Sequence, residues 1–372
     1  MRERQPGIFR SYWIAGYEGA DHINGKQIPQ SLNDANQHNQ KIDSDYALLK
    51  QFNIQTVRES IGWRITEQDN QFNWHVLEAK AQSAQKHNIQ VIWTLMHYGW
   101  PKDIDPLGPK FVDRFTRYCE AVAKKLKYYQ DEAPIYQPLN EISFLSWAMS
   151  FTGLIHPFDG SLGHRSYEIK RQLVLAALRG SEAIWSVDPR APIIHTDPVV
   201  NIVPPNGADL NQIEDTNRHN EYSFQAWDMI CGDMEPAFGG SYKHLDIIGV
   251  NYYHENQWVH GSNERLSWHL KDERRLPFNQ LVAQIWKRYE RPIFLAETSH
   301  VGVGRGEWLD DIANEVLICE KLGVPIEGIC LYPIIDRPDW ENPEHWHKSG
   351  LWDVALNHLD NLTSATSANP NA

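Results

Sequence analysis

Cysteine is scarce in this chain. The four in 372 residues, Cys119, Cys231, Cys319 and Cys330, are scattered and show no CxxC spacing. They read as buried thiols of a reducing compartment, which predicts a cytoplasmic location. Long apolar runs are missing too. No window approaches the roughly 18 uninterrupted apolar residues of a membrane span, so no transmembrane helix and no membrane partner are expected. The first residues, MRERQPGIFRSYW, carry charge but no apolar core, so no signal peptide is expected. There is no basic block and no acidic tail, and the formal net charge is -13. That pattern argues against nucleic acid or an anionic surface as the main partner. No linker rich in glycine, serine or proline divides the chain, and no internal repeat of about 20–50 residues is visible.

What is present is a soluble globular composition, 41% hydrophobic and 22% charged, with an excess of Trp and Tyr at 15 each. Such rings stack on the apolar faces of sugars, and they also fill cores. The length fits one large α/β barrel with insertions or two ordinary domains. The order of segments favours the barrel. Apolar runs of strand length alternate with longer segments of helical period over the whole chain. The strands are predicted at 11–16, 53–58, 89–96, the run ending at Asn140-Glu141, 191–196, 245–251, 292–297 and 328–333. Helices are predicted at 43–51, 73–87, 111–128, 166–187, 222–230, 281–289 and 308–322, with a short last one within 350–358 and a long loop from the fourth strand to Gly163. Eight such units predict a (β/α)8 TIM barrel spanning residues 1–362, followed by a disordered polar tail, 363–372.

A barrel gives the sequence a direction, because functional groups gather at the C-terminal ends of its strands. Those ends carry Glu18, Arg58, His97, Asn140 with Glu141, His195 with Asp197, Asn251 with Tyr252 and Tyr253, Glu297, and Asp336 with Asp339. Two of them share a design. In YQPLNEISF and PIFLAETSHVG an apolar strand delivers one glutamate, Glu141 or Glu297, to a polar loop. A carboxylate there loses hydration, so its pKa rises toward that of a general acid. A pair facing each other across a barrel mouth is what cleavage of a glycosidic bond requires. Like charges hold the two in different protonation states, and Arg58 favours the ionised one. Glu141 is therefore assigned as acid/base and Glu297 as nucleophile, with a strand-six tyrosine orienting the same carboxylate.

Together these stretches resemble clan A of the retaining glycoside hydrolases, and are most similar to the β-glucosidase family, family 1. Asn140-Glu141 matches the clan's Asn-Glu pair and Glu297 its nucleophile. TVRESIGWRI resembles the family's second-strand motif and carries over Arg58 as the nucleophile's partner. TLMHYGWP carries over His97 as a ligand of sugar hydroxyls. DIIGVNYY carries over Asn251, and Tyr253 bonded to the nucleophile. LYPIIDRPDW implies Tyr332 under the sugar ring, with Asp339 and Trp340 at its distal hydroxyls. The departures are AETS for T-E-N-G, Tyr98 and Tyr332 for tryptophans, Asp339 for a glutamate, and no clear match for the N-terminal glutamine, near whose place Glu18 lies. They bear on the sugar bound, not on the cleavage chemistry.

The expectation is thus an exo-acting, retaining β-glycosidase working on a small saccharide or glycoside, without cofactor or metal and in an undetermined oligomeric state. Glycosyl transfer by the same glutamates, and sugar binding without catalysis, are the alternatives. Several side features have double readings. His345 and His347, with Asp336 and Asp339 near, have metal-like spacing, or form a bonded loop beside the pocket. His195 and Asp197 touch substrate or bond loops. Trp63, Trp100, Trp147 and Trp258 stack on sugar or pack under loops. Gly302–Gly306 has the look of a phosphate loop but lacks a GK[ST] ending.

Overall fold

The computed structural model describes residues 7–354, and the backbone of a further strand, Thr366–Ala368. Eight strands line up as β1 Trp13–Gly16, β2 Thr56–Ser60, β3 Gln90–Met96, β4 Ile135–Leu139, β5 Ile194–Pro198, β6 Ile247–Asn251, β7 Ile293–Thr298 and β8 Ile326–Leu331. All neighbours pair in parallel, in the order 4-3-2-1-8-7-6-5. Parallel bridges from Tyr136 to Ile193 and from Asn140 to Thr196 join β4 to β5, closing the ring. The predicted TIM barrel is the observed fold.

The strands read as continuous apolar runs because a parallel barrel buries both faces. Alternate side chains fill the inside. Ile14, Ile92, Ile135, Ile194, Ile247 and Phe294 make the lower interior, and Phe9 stops it from below against Phe294. One pleat higher the interior turns polar, with Arg58, Thr94, Gln137 and Thr196 all buried. The opposite faces pack on the outer helices, α1 His38–Leu49, α2 His75–His87, α3 Lys110–Lys127, α4 Ile142–Phe151, α5 Ser166–Val187, α6 Leu210–Tyr222, α7 Gln225–Cys231, α8 Phe278–Tyr289 and α9 Arg305–Lys321. In α3, Phe111, Phe115, Tyr118, Cys119, Val122 and Leu126 form the buried stripe at helical spacing.

Three expectations about elements are corrected. The loop expected from strand four to Gly163 begins as α4, whose sequence ISFLSWAMSF is apolar on every side and so shows no period. The helix predicted at 222–230 is α7, which begins only at Gln225; Tyr222 ends a separate helix that was not predicted, α6, opened by a capping box between Asp209 and Gln212. In place of a short helix within 350–358, Trp352–Val354 is a strand paired antiparallel with Thr366–Ala368. The remainder of the predicted tail, 363–372, lies outside the described residues.

Candidate active site

The polar upper layer of the barrel organises the mouth. Arg58, on an inward position of β2, is 1% exposed. Its Nε donates to Gln137 Oε1 at 2.9 Å, one Nη to Glu297 Oε1 at 2.6 Å and the other to Asn140 Oδ1 at 2.5 Å. One guanidinium thus ties β2 to β4 and β7. A buried ion pair of this kind recovers little net stability, so it is better explained by what it positions.

Glu297 reaches Arg58 because β7 is irregular. Its pairing with β6 slips between Leu295 and Glu297, and Glu297 comes to lie opposite Asn251. Such bulges re-aim side chains at barrel rims. The end of β6 then serves both carboxylates. Asn251 Nδ2 donates to Glu141 Oε1 at 2.9 Å, and the Tyr253 hydroxyl donates to Glu297 Oε2 at 2.8 Å.

Glu141 sits between β4 and α4 with a left-handed backbone, φ 46°. The turn is held from below by Asp197, which accepts from the Ser143 amide at 2.8 Å and hydroxyl at 2.9 Å. Above it, the Tyr98 hydroxyl donates to Glu141 Oε2 and accepts from Asn140 Nδ2 at 2.9 Å. Burial, and next the charge of Glu297, push the Glu141 pKa up to about 8; the bonds from Tyr98 and Asn251 oppose the rise. The two glutamates therefore sense each other across one mouth.

A second cluster adjoins the first. The Tyr332 hydroxyl accepts from the Gly19 amide at 3.1 Å and lies 3.3 Å from Glu18 Oε1 and 3.4 Å from His97 Nδ1. Arg337 pairs with Glu18 Oε2 at 3.0 Å. Burial raises the Glu18 pKa against the pull of Arg337. His97 accepts from Asn140 Nδ2 at 3.0 Å. Burial and the charge of Arg58 hold the His97 pKa well below its usual value, so its 3.9 Å approach to Glu18 is not an ion pair. The Tyr332 ring occupies the space over Gly16, where a Cβ would lie 2.2 Å from Tyr332 Cδ2.

Of the residues named from sequence, Glu141, Glu297, Arg58, His97, Asn140, Asn251, Tyr253, Tyr332 and Glu18 join these two clusters. Trp340 is adjacent, its ring 5.6 Å from Tyr98 and 4.7 Å from His22. Asp339 bonds none of the others. Its carboxylate accepts from the amides of Glu341 and Asn342 and meets His347 Nε2 at 3.0 Å. Asp336 likewise accepts from the amides of Lys348 and Ser349. The His345–His347 stretch is thus a bonded loop, and it supplies none of the three-donor metal groupings among the described residues. His195 lies on the face of β5 away from the barrel interior, beside His244, and Trp63 packs under the loops against Phe111 and Phe115. Trp258 carries Arg265 over its ring, and the Gly302 turn is bonded to Lys348.

The structure adds four groups that the sequence reading passed over. The hydroxyl of Tyr98 was hidden behind its resemblance to a family tryptophan. Gln137 had a signal, a lone amide in the strand IYQPL. Arg337 had none. His22 is 1% exposed, and both its ring nitrogens and Trp340 Nε1 find no partner among the described residues. Tyr98 is also a wall of a cavity of about 430 Å³, lined further by Ile23, Arg64, Trp100, Lys102 and His156; neither glutamate lines it.

Comparison with known proteins gives the family and supports the fold. The family model described as Glycosyl hydrolase family 1 matches residues 16–293, ending four residues before Glu297. No curated protein matches the sequence. Among solved structures, the virulence factor SghA from Agrobacterium tumefaciens aligns at TM-score 0.74 and 17% identity, over 99% of this chain and 95% of that one. A β-glucosidase from Thermotoga maritima in complex with glucoimidazole aligns at 0.73 and 13%, over 92% of each chain. The AHE enzyme from Alicyclobacillus herbarius aligns at 0.73 and 14%, over 94% and 95%. Identities this low speak for the fold alone.

Proposed function

The chain belongs to glycosyl hydrolase family 1, and on that premise we propose that it is a retaining, exo-acting β-glycosidase of β-glucosidase type. The observation that carries this reading is the unequal treatment of two carboxylates at one mouth. Arg58 and Tyr253 both donate to Glu297, a setting for an anion. Burial and the charge of Glu297 keep a proton on Glu141 up to about pH 8. An ionised nucleophile beside a protonated acid is the resting state of double displacement.

In the first step Glu297 attacks the anomeric carbon while Glu141 gives its proton to the departing oxygen. Ester formation removes the negative charge of Glu297. The push that this charge exerted on Glu141 goes with it, so Glu141 turns into a competent base. It then takes a proton from water as the water oxygen attacks the anomeric carbon, and Glu297 leaves as carboxylate. Neutral His97, Asn140 and Glu18 ring the position of the glycone. His22 and Trp340 Nε1 offer buried polar atoms to its hydroxyls, which a bound sugar would satisfy. No cofactor enters any step.

The test is trapping. A 2-deoxy-2-fluoro-β-glucoside with an activated leaving group should inactivate the protein and add one sugar to the peptide bearing Glu297, read by mass spectrometry. An inverted hydrolysis product, or a label on another residue, would overturn the reading. Sugar binding with no turnover and no ester would favour a binding protein.

A further inference from the structure

The geometry points to a divalent metal site outside the barrel mouth, formed by Asp215, His219 and His260, that takes zinc or a similar borderline ion. Asp215 and His219 are four residues apart on one face of α6. His260 follows a short strand, Gln257–Val259, in the excursion after β6. That strand pairs in parallel with Asn201–Val203, which belongs to the excursion after β5. Each residue offers one ligand atom, and the three atoms lie within 4.8 Å of one another. The two imidazole rings have centroids 4.3 Å apart, and His260 Nε2 is 3.6 Å from Asp215 Oδ2.

The backbone carrying these donors is fixed on both sides. Asn220, at the end of α6, brackets Ile202 by accepting from its amide at 2.9 Å and donating to its carbonyl at 2.8 Å. The His260 amide donates to the Val203 carbonyl at 2.8 Å.

The outer hydrogen bonds are those a metal site needs. His219 Nδ1 lies 2.9 Å from the Asp215 carbonyl, which can only accept. Nδ1 therefore carries the hydrogen, and the lone pair of Nε2 is left for a ligand. Arg218 donates to Asp215 Oδ1, leaving Oδ2 on the side of His260. Orientation of a ligating imidazole by a carbonyl, and of a ligating carboxylate by a donor, is the usual support of such sites. Two nitrogens and one carboxylate oxygen suit zinc with a solvent molecule in the fourth position, whereas calcium and magnesium call for oxygen alone. In a four-coordinate site donors sit roughly 3.4 Å apart, so side-chain rotation closes the remaining gap. Asp215 and His219 are partly exposed, which leaves room for that rotation. The ion would clip the excursion after β5 to that after β6. It takes no part in chemistry at the glutamates, and the assignment does not depend on the glycosidase reading.

The experiment uses the full chain, stripped with a chelator and dialysed. Titration with Co²⁺ should give one equivalent with the visible bands of four-coordinate cobalt, displaced by Zn²⁺, and Zn²⁺ should raise Tm. The double variant His219→Ala/His260→Ala should lose that equivalent and the Tm rise, and Asp215→Asn should weaken binding about tenfold or more. Far-UV circular dichroism of the metal-free variants checks folding; if the alanine pair misfolds, His260→Gln replaces it. With 17 histidines in the chain, metal could bind elsewhere. Unchanged cobalt spectra in a folded variant would therefore overturn the site, as would no binding by the parent chain at about 100 µM, weaker than the range of structural zinc sites.

Discussion

Glu141 and Tyr98 both hold backbones that L-residues avoid, with φ 46° and 74°. Each costs on the order of 1–2 kcal/mol, and strain of this kind collects where side chains must be aimed. Here it brings the Tyr98 hydroxyl onto the Glu141 carboxylate. A bond to the ionised form lowers a carboxyl pKa, so Tyr98→Phe should move the alkaline limb of kcat/KM upward and reduce kcat about 10- to 100-fold, the worth of a bond to a charged group. A pH profile checks both; an unchanged limb would mean the contact does not tune the acid. Glu141→Gln should slow glycosides with poor leaving groups by orders of magnitude more than activated aryl glycosides, and equal losses on both would refute proton donation. At this scale the sequence was most legible where one charged residue closes an apolar run, as at Glu141, Glu297 and Arg58. It was least legible where a polar side chain sits among neighbours distant in the chain, as with Tyr98, Arg337 and His22.

Among elements, β1 and β8 are matched in shape. Gly16 lets the Tyr332 ring lie against β1, and a methyl there would stand 2.2 Å from Tyr332 Cδ2 and 2.9 Å from Cys330 Sγ. Gly16→Ala should cost about 1–3 kcal/mol of stability through overpacking, seen as a lower denaturant midpoint. Because the displaced ring is the one bonded to Gly19 beside Glu18 and His97, kcat/KM should fall as well; wild-type kinetics in a folded variant would separate Tyr332 from the sugar site. The barrel strands could be read from sequence because burial on two faces makes short runs that are mostly apolar, with polar residues gathered toward their C-terminal ends. Helix α4 could not, since its seven apolar residues of ten fall on every side and erase the period. The pair Asn201–Val203 and Gln257–Val259 was equally hidden, as three-residue strands carry no pattern and their pairing joins segments 56 residues apart.

For the whole molecule, protons held in the interior set how stability follows pH. Burial raises Asp21 and Asp197 to about 7 and Glu141 to about 8. Each keeps a proton that the unfolded chain would release, so each loses stability as pH climbs from its ordinary value to the folded one. Buried His22 and His195 work in the opposite sense. Their values fall to about 4 and about 3, so they remove stability as pH drops below 6.5. The two sets oppose each other from about pH 4.5 to 6.5, and above that the opposition of His22 and His195 is gone while the carboxyls still act. Tm should therefore decline between about pH 6.5 and 8.5, and Asp197→Asn should flatten the decline; a Tm that rises over this interval would refute the assignment. Most adjoining strands share three to five registered residues, whereas β4 and β5 are stitched by two bridges alone. The seam of the cylinder thus runs beside Glu141, whose amide donates to the Thr196 carbonyl across it. Thermal breathing should be greatest at this seam, so deuterium uptake at the Tyr136 and Glu141 amides should outpace that of the other strands.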